Sequence, residues 1–287
     1  MRRIKEFIIE KLILVCGLAS IFFVLLIFLF LLKEGLAVFK TVSPAKFLFG
    51  KSWYPISEPA QLGILPLILG SLMVTLGAAV ISVPIGVACA IYIAEVAPPK
   101  LKEILKSGIE LLAAIPSVVL GFIGMVTLVP WVKAIFKLPT GLTALSGSIM
   151  LAFMAMPTIV SIAEDALYSV PKSYKEGALA LGATQWQAIY RVMLPAASSG
   201  ILAAVMLGIG RVIGETMAVM MITGNAAVIP ASILVPVRTL TATIAAEMGE
   251  AVVGSEHYFA LFAVGIVLFV ISFAINVTAD LFLHKRQ

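Results

Sequence analysis

Long apolar segments without charged residues alternate with short charged segments along the whole chain. An α-helix rises 1.5 Å per residue, so about 20 apolar residues cross a hydrocarbon core of roughly 30 Å. The pattern therefore predicts an all-α, polytopic membrane protein with six transmembrane helices in one domain over residues 1–287. The predicted helices cover about 12–32, 67–94, 111–132, 139–163, 198–223 and 258–281.

A seventh apolar segment, 226–246, is interrupted by Pro230, Pro236 and Arg238. An arginine that faces lipid costs several kcal/mol, and proline interrupts a helix. We therefore expect this segment to be interfacial or re-entrant rather than a further membrane crossing.

Composition agrees with the apolar pattern. Hydrophobic residues make up 61% of the chain and charged residues 12%, whereas a soluble domain has about 25% charged residues. This excludes a disordered protein and a nucleic-acid-binding protein, and it makes the lipid membrane a necessary partner. Cys16 and Cys89 both fall in predicted helices without metal-ligand spacing, so no metal site is expected.

The basic residues indicate how the helices cross the membrane. With six helices both termini lie on one side, which then holds 12 of the 20 Lys and Arg residues, against 7 on the other side and Arg211 inside a helix. Because cytoplasmic loops are enriched in Lys and Arg, both termini are predicted to be cytoplasmic. No phosphate-binding loop of the Gly-x-x-x-x-Gly-Lys-Ser/Thr type occurs, so any ATP would be bound by a partner.

The loop 164–197, between the fourth and fifth predicted helices, carries helix signals of its own. Pro171 suits the first turn of a helix, Gly182 suits the left-handed residue after its end, and Thr184 with Gln187 predicts a capping box. Two short helices would form an elbow with a compact apolar knob that could dock into another protein. The knob would consist of Leu179, Leu181, Trp186 and Ile189. The alternative is a hairpin packed on its own membrane domain.

The same loop resembles the EAA loop of the membrane subunits of ATP-binding-cassette importers. The residues that carry this resemblance are Glu176, Ala178, Gly182, Leu194 and Pro195, with Gly177 and Val192 where the pattern has Ala and Ile. The resemblance implies a type I, MetI-like permease fold. It also implies that Glu176, Gly177, Ala178, Gly182, Leu194 and Pro195 couple the chain to an ATPase dimer, which binds ATP and Mg. No cofactor is expected on this chain.

Two charged residues lie inside the fifth predicted helix. Arg211 and Glu215 are four residues apart and would share one helical face. An unpaired charge there costs at least about 2.5–3.5 kcal/mol, so the pair should face protein or water, which favours a substrate path. Glycines at 208, 210 and 214 would open space beside it. The alternative is an ion pair that only fixes helix packing.

A guanidinium group binds oxyanions such as phosphate, carboxylate or sulfate. Glu215 would repel a fully deprotonated anion, but it can accept a hydrogen bond from hydrogen phosphate. This chemistry favours phosphate over sulfate.

The segment from Gly210 to Asn225 resembles the signature of phosphate-specific importer permeases of the PstC type. The likeness extends to 57–67, 90–95, 114–121 and 238–246. It implies that Arg211 and Glu215, with Thr216, form the translocation site in a multi-pass protein of the prokaryotic cytoplasmic membrane. It also implies three protein partners: a PstA-type second permease, a PstB-type ATPase dimer and an external PstS-type phosphate-binding protein.

Hydroxyl and acidic residues supply weaker candidates. Ser71, Thr75 and Ser82 share one face of the second predicted helix and Ser117 lies in the third, where they would line the path or simply bond to helices. A group of outer residues could suggest a metal, but its spacing fits no strong template, and solvated charge or a docking contact is the preferred reading. The group consists of Glu247, Glu250, Glu256 and His257.

Three other functions remain open. The chain could be a permease for another oxyanion, such as phosphonate, sulfate or molybdate. A proton-coupled secondary transporter, in which Glu215 titrates beside Arg211, would give the loop 164–197 no role. An intramembrane enzyme would need metal-ligand spacing or clustered histidines, which the sequence lacks, so no catalytic residue is expected.

Overall fold

The computed structural model describes residues 2–284, with the side chains of residue 7 and of residues 9–278. This part of the chain is predominantly helical, as expected. The helices are α1 Arg2–Gly35, α2 Pro44–Phe49, α3 Leu65–Ile91, α4 Pro99–Ala114, α5 Ser117–Val126, α6 Leu128–Phe136, α7 Ala144–Tyr168, α8 Lys172–Ala180, α9 Gln185–Ala188, α10 Leu194–Ala196, α11 Ser198–Gly214, α12 Met217–Ile222, α13 Leu240–Glu247 and α14 Glu256–His284. Two short antiparallel strands, β1 Trp53–Tyr54 and β2 Gln61–Leu62, precede α3.

Five helical segments of the described residues are long and apolar enough to cross a membrane, and a sixth arises if one bent pair counts as a single crossing. The five are Ile9–Lys40, Leu65–Val96, Ser117–Phe136, Ala144–Tyr168 and Glu256–Thr278. The bent pair joins Gln185–Ala196 to Ser198–Gly214 at an angle of 70°. Pro195 lies next to this bend, where a proline removes a backbone donor.

The first and last helices run antiparallel. The rings of Phe30 and Phe262 lie 5.5 Å apart, and those of Phe28 and Phe269 lie 4.7 Å apart, so α1 runs backwards along α14. The start of α1 and the end of α14 therefore lie at one end of the molecule, which we call the termini end. Lys285 and Arg286, used above to predict orientation, lie outside the described residues.

The central helix α7 packs between α3 and α11. The Ser148 hydroxyl on α7 donates to the carbonyl of Val74 at 3.2 Å, and Gly86 of α3 lies against Ile159. On the other side Gly208 of α11 lies against the same Ile159. Small residues let membrane helices approach closely, so these glycines explain the tight contacts with α7.

The register of these contacts orients the connecting segments. Residues 74 and 86 of α3 meet residues 148 and 159 of α7, so these helices are parallel. Gly200 and Gly208 of α11 meet Ala166 and Ile159, so α11 is antiparallel to α7. Leu67 of α3 lies in one apolar cluster with Leu261 of α14, and further along both helices Thr75 and Ile275 line one cavity, so α3 and α14 run in the same direction. The segment between α7 and α11 therefore lies at the termini end.

The expectation of one uninterrupted helix over 111–132 is wrong. The chain breaks at Ile115, whose backbone is extended at φ −68° and ψ 127°, because Pro116 disfavours helical geometry in the preceding residue. Residues 111–114 end the amphipathic helix α4, and the apolar membrane-crossing segment runs from Ser117 to Phe136.

The segment 226–246 contains no long helix. A parallel bridge joins Gly224 to Val237, and the Val237 amide donates to the carbonyl of Thr223 at 2.9 Å, so the segment begins as a loop that folds back on itself. It ends in the eight-residue helix α13, whose first residue, Leu240, is completely buried. We call residues 224–247 the fold-back segment.

The close approach of α3 to the fold-back segment gives a stability prediction. A Cβ atom on Gly70 would collide with the backbone carbonyl of Arg238, so we expect Gly70→Ala to destabilise the protein by about 1–3 kcal/mol. Gly17→Ala is the matched control, since nothing lies within 4 Å of its new methyl group. The apparent midpoint of thermal unfolding in detergent should fall in the first variant alone, and equal midpoints would contradict the packing.

Candidate functional site

Arg211 projects from the last turn of α11 toward α7. Its Nη1 donates a hydrogen bond of 3.2 Å to the hydroxyl of Thr158, and its side chain is exposed. Thr158 was not among the residues singled out from the sequence. Its position directly after Pro157, inside a membrane helix, is the signal that could have indicated it.

The expectation that Arg211 and Glu215 share a helical face is wrong. Helix α11 ends at Gly214, and Glu215 is extended, with φ −69° and ψ 132°. Both residues lie in the described part of the chain, where no ion pair joins them. The spacing of four implies proximity only while the helix continues, and here it does not.

Glu215 instead stabilises the break between α11 and α12. Its Oε1 accepts a hydrogen bond of 3.3 Å from the Ala218 amide in the first turn of α12, and its backbone carbonyl accepts one of 2.9 Å from the Thr241 hydroxyl of α13. The Thr216 hydroxyl donates to the carbonyl of Gly214 at 3.1 Å. The break thus presents a half-buried carboxylate and a hydroxyl next to the end of the helix that carries Arg211.

Ser117 lies level with this break. On α5, Gly121 lies against Ala218 and Gly124 against Ile222 of α12, so the two helices are parallel. Ser117, one turn before Gly121 on α5, therefore lies toward the start of α12, next to the break. The structure therefore brings Ser117 to the same region as Glu215 and Thr216.

Ser71 and Thr75 lie elsewhere. They line a cavity of about 240 Å³ with Ile209 and Ile213 of α11. Residues two positions from Arg211 point to the opposite face of a helix with 3.6 residues per turn, so this cavity lies on the side of α11 away from the guanidinium. Ser71 accepts a hydrogen bond of 2.9 Å from the Leu240 amide. Ser82 is buried, 1% exposed.

The three glycines of α11 differ in environment. The side chain of Ile159 occupies the space beside Gly208, so this glycine permits close packing of α11 against α7 and leaves no open space. A Cβ built on Gly210 would meet only Asn276 Oδ1, at 4.0 Å, and no atom lies within 4 Å of a Cβ built on Gly214. The expected space beside the helix is therefore present at its end and absent at Gly208.

The segment between α7 and α11, residues 169–197, forms the expected two-helix turn, and we call it the elbow. Helix α8 begins after Pro171 and ends before Gly182, whose φ of 87° suits glycine. Thr184 and Gln187 form the predicted capping box, with hydrogen bonds of 3.3 and 2.9 Å. Glu164 and Asp165 belong to α7 rather than to a loop.

The tip of the elbow is apolar and exposed. Leu181 is 91% exposed and Trp186 66% exposed, and Leu179 is exposed beside them. Ile189 was expected in this knob, but it is 2% exposed and packs inward, so that expectation is wrong. The Glu176, Gly177 and Gly182 positions are also exposed.

Three ionic contacts at the termini end were not anticipated. Lys175 of α8 forms an ion pair with Glu95, which lies in the π-helical turn Tyr92–Val96 after α3. The buried carboxylate of Glu164 lies 3.7 Å from the ammonium groups of both Lys102 and Lys106 on α4. These contacts fasten α8 to the end of α3, and α4 to the end of α7.

At the opposite end of the molecule, the carboxylate of Glu247 contacts three side chains. It accepts hydrogen bonds from Trp53 Nε1 at 3.0 Å and from the guanidinium of Arg238, and it contacts His257 Nε2 at 2.9 Å. They line a cleft of about 660 Å³ together with Asn225. No group of three or more metal-ligating side chains occurs among the side chains that the structure describes, those of residue 7 and residues 9–278.

The sequence of this chain matches that of known transport components. The family model described as "Binding-protein-dependent transport system inner membrane component" matches residues 82–286. The "Probable ABC transporter permease protein YqgH" of Bacillus subtilis is 42% identical over 95% of this chain and 89% of its own length. The "Phosphate transport system permease protein PstC" of Mesorhizobium japonicum is 36% identical over 83% of this chain and 78% of its own length. The resemblance noted from the sequence is confirmed.

Solved structures agree on the fold. An inward-facing structure of the MetNI methionine ABC transporter has a TM-score of 0.64 and 20% identity over 81% of this chain and the whole of the matched chain. A bacterial ABC transporter involved in alginate import has a TM-score of 0.67 and 17% identity over 99% of both chains. At these identities the likeness concerns the fold, and it confirms the MetI-like permease architecture.

The Glu247 cluster gives a prediction about stability. In Glu247→Ala the Arg238 guanidinium and the Trp53 indole lose their acceptor, and an unsatisfied partly buried donor costs about 1–3 kcal/mol. We expect a lower unfolding midpoint in detergent and a changed tryptophan emission. Glu250→Ala, which removes an exposed carboxylate from the same cleft, is the control. Identical midpoints for the two variants would refute the stabilising role.

Proposed function

The chain belongs to the family of binding-protein-dependent transport system inner membrane components, and from this premise we propose that it carries inorganic phosphate across the membrane of a prokaryotic cell. It would act as one permease subunit of an ATP-driven importer. Members of this group are transporter subunits rather than enzymes, so ATP and Mg belong to a separate ATPase.

The observation that supports an oxyanion as the ligand is that Arg211 has no carboxylate partner in the described part of the chain. Within the described residues its side chain has one hydrogen bond, to the neutral hydroxyl of Thr158, and no carboxylate neutralises it. A guanidinium has five N–H donors, so several remain available for an oxyanion. An exposed arginine with a neutral partner is therefore better prepared for anion binding than the ion pair expected from the sequence.

Two other groups favour hydrogen phosphate as that anion. The Thr158 hydroxyl can donate or accept a hydrogen bond, and the Glu215 carboxylate can accept one from a protonated oxyanion. Sulfate carries no proton at neutral pH and would gain only repulsion from Glu215. The name of the Mesorhizobium relative supports the same ligand.

The mechanism would be alternating access. Closure of the ATPase pair would move the elbow, and α11 follows directly from it across the 70° bend. Arg211, Glu215 and Thr216, with Ser117 level with the break, would hold phosphate briefly as the path opens to each side in turn. Binding should be weak, because phosphate must leave the site. Ser71 and Thr75 would serve packing between α3, α11 and α14.

The name of the PstC relative suggests three protein partners, and the site and the two ends of the molecule offer each of them a place. Arg211 lies on one exposed face of one chain, so a PstA-type second permease would complete the path. The apolar tip of the elbow would seat in a PstB-type ATPase dimer, with the termini end in the cytoplasm. An external PstS-type phosphate-binding protein would dock at the opposite end, where the cleft beside Glu247 opens.

A permease for another oxyanion is the second candidate, because the Bacillus relative is described only as a probable ABC transporter permease. Competition for uptake by unlabelled sulfate, molybdate and phosphonate would distinguish it from a phosphate permease.

The site predicts a graded loss of transport. A hydrogen bond to a charged group contributes about 1.5–3 kcal/mol, so Arg211→Ala should lower ATP-dependent phosphate uptake by reconstituted complex about tenfold or more. Thr158→Ala and Glu215→Gln should give smaller losses. Lys133→Ala, which removes an exposed positive charge remote from the site, should transport normally. Undiminished uptake by Arg211→Ala would refute the assignment.

The elbow predicts a loss of assembly. Leu181→Asp places a charge on the exposed apolar tip, which should reduce the amount of ATPase that copurifies with the permease. Ile56→Asp makes the same change at an 84% exposed residue of the opposite end and should leave copurification unchanged. Wild-type recovery of ATPase with Leu181→Asp would exclude the elbow as its docking surface.

A further inference from the structure

We propose that the ion pair between Lys175 and Glu95 is the link through which helix α8 of the elbow moves α3, and that α3 passes this movement to the fold-back segment at the opposite end. The two residues are thus positioning residues for transport. This inference rests on the proposed importer function and adds a second route to the direct connection from the elbow to α11.

The first step concerns how α8 is attached. No residue of α8 is buried, so apolar packing does not fasten this helix to the membrane helices. Lys175 is its best-covered charged residue, and its ammonium group reaches the Glu95 carboxylate, whose side chain is 9% exposed. Lys172 and Glu176 on the same helix are exposed, and neither forms an ion pair with another described residue. Contact between α8 and the end of α3 therefore depends on one pair of opposite charges.

Low exposure makes this pair suitable for transmitting force. Water screens a charge pair on an open surface, but a partly buried pair interacts more strongly and resists separation. The side chains of Lys175 and Glu95 are 27% and 9% exposed, so they form a partly buried pair rather than a pair on an open surface. Displacement of α8 would therefore pull or push the end of α3.

The second step concerns α3 itself. It is continuous over 27 residues, from Leu65 to Ile91, which corresponds to about 40 Å at 1.5 Å per residue. Its end at Ile91 lies next to the turn that carries Glu95, and its start lies at the opposite end of the molecule. A helix of this length contacts the elbow on one side of the membrane. Its movement can therefore displace groups that it contacts on the other side.

The third step concerns what α3 holds at the opposite end. Ser71 accepts a hydrogen bond from the Leu240 amide at the start of α13, and Gly70 lies against the carbonyl of Arg238. The next residue of α13, Thr241, donates to the carbonyl of Glu215. A shift of α3 would therefore displace α13 and, through Thr241, the break that presents Glu215 to the proposed path.

A charge-exchange cycle tests the link in the complete complex, reconstituted in liposomes with its ATPase and second permease. We expect Lys175→Glu and Glu95→Lys each to lower the phosphate transported per ATP hydrolysed by about fivefold or more, the lower end of typical coupling between sites. The double variant should recover most of the loss, because the charges are exchanged rather than removed. Lys172→Glu, the same reversal at an exposed lysine one turn earlier, should leave the ratio unchanged.

The ratio distinguishes coupling from a structural role. If the pair only stabilised the fold, single reversals would lower the yield of assembled complex while the assembled fraction transported normally, and that result would overturn the proposal. A double variant as impaired as the singles, with the ATPase still bound, would also overturn it.

A second readout requires no transported substrate. With Cys16 and Cys89 replaced by serine, spin labels at the exposed positions Ala231 and Val253 report movement of the fold-back segment relative to the start of α14. ATP binding should change this distance in the wild type and in Lys172→Glu, but not in either single reversal. If this dependence holds while phosphate uptake is absent, the proposed substrate is wrong and the link stands. No ATP-driven change in the wild type, or an unaltered change in the single reversals, would refute the link.

Discussion

Hydrocarbon cannot form hydrogen bonds, so every backbone N–H and C=O group inside a membrane must find a partner within the protein. Continuous helices meet this requirement, and each interruption requires another partner. In this chain the interruption at Glu215 is closed from two directions. The Ala218 amide donates to the side chain of Glu215, and the backbone carbonyl of Glu215 accepts a hydrogen bond from Thr241 of α13. The geometry of the candidate site therefore depends on the fold-back segment, whose Thr241 lies 26 residues after Glu215 in the chain.

Charged side chains in an apolar environment also need partners within the protein. Several carboxylates of the described chain lie beside cations at the ends of helices, as Glu164 does with Lys102 and Lys106, and Glu247 with Arg238. The first two pairs join α4 to α7, the third closes the fold-back segment on itself, and all three reduce the cost of partial burial. Arg211 differs, because its partner is a neutral hydroxyl. The arrangement leaves its charge unneutralised, and this is the feature that makes it the best candidate for a bound anion.

The two ends of the molecule are connected by helices that pack closely. Small residues on α3 and α11 let both lie directly against α7, so movement of one is opposed by side chains of the others. The elbow joins this group covalently through α7 and α11. Its helix α8 is joined ionically to Glu95 after α3, and Met193 near its end packs in one apolar cluster with Ile91. Ser71 and Gly70 join α3 to the fold-back segment. A transporter must transmit movement between its ends, and these contacts form a continuous route for it.

The sequence by itself determined the features that depend on neighbouring residues. Apolar length predicted the membrane-crossing helices, and the capping box of Thr184 and Gln187 forms as expected because both hydrogen bonds lie within one turn. Arg211 stood out because a charge is costly in hydrocarbon wherever the chain folds. The tertiary structure decided the conformation of Glu215, the Thr158 partner of Arg211, and the pairing of Lys175 with Glu95. These depend on residues far apart in the chain, 53 positions for Arg211 and Thr158 and 80 for Lys175 and Glu95, and no local pattern encodes such a contact. The helix ends before Glu215 in a structure where Thr241 binds the Glu215 carbonyl, and only the folded chain brings these two residues together.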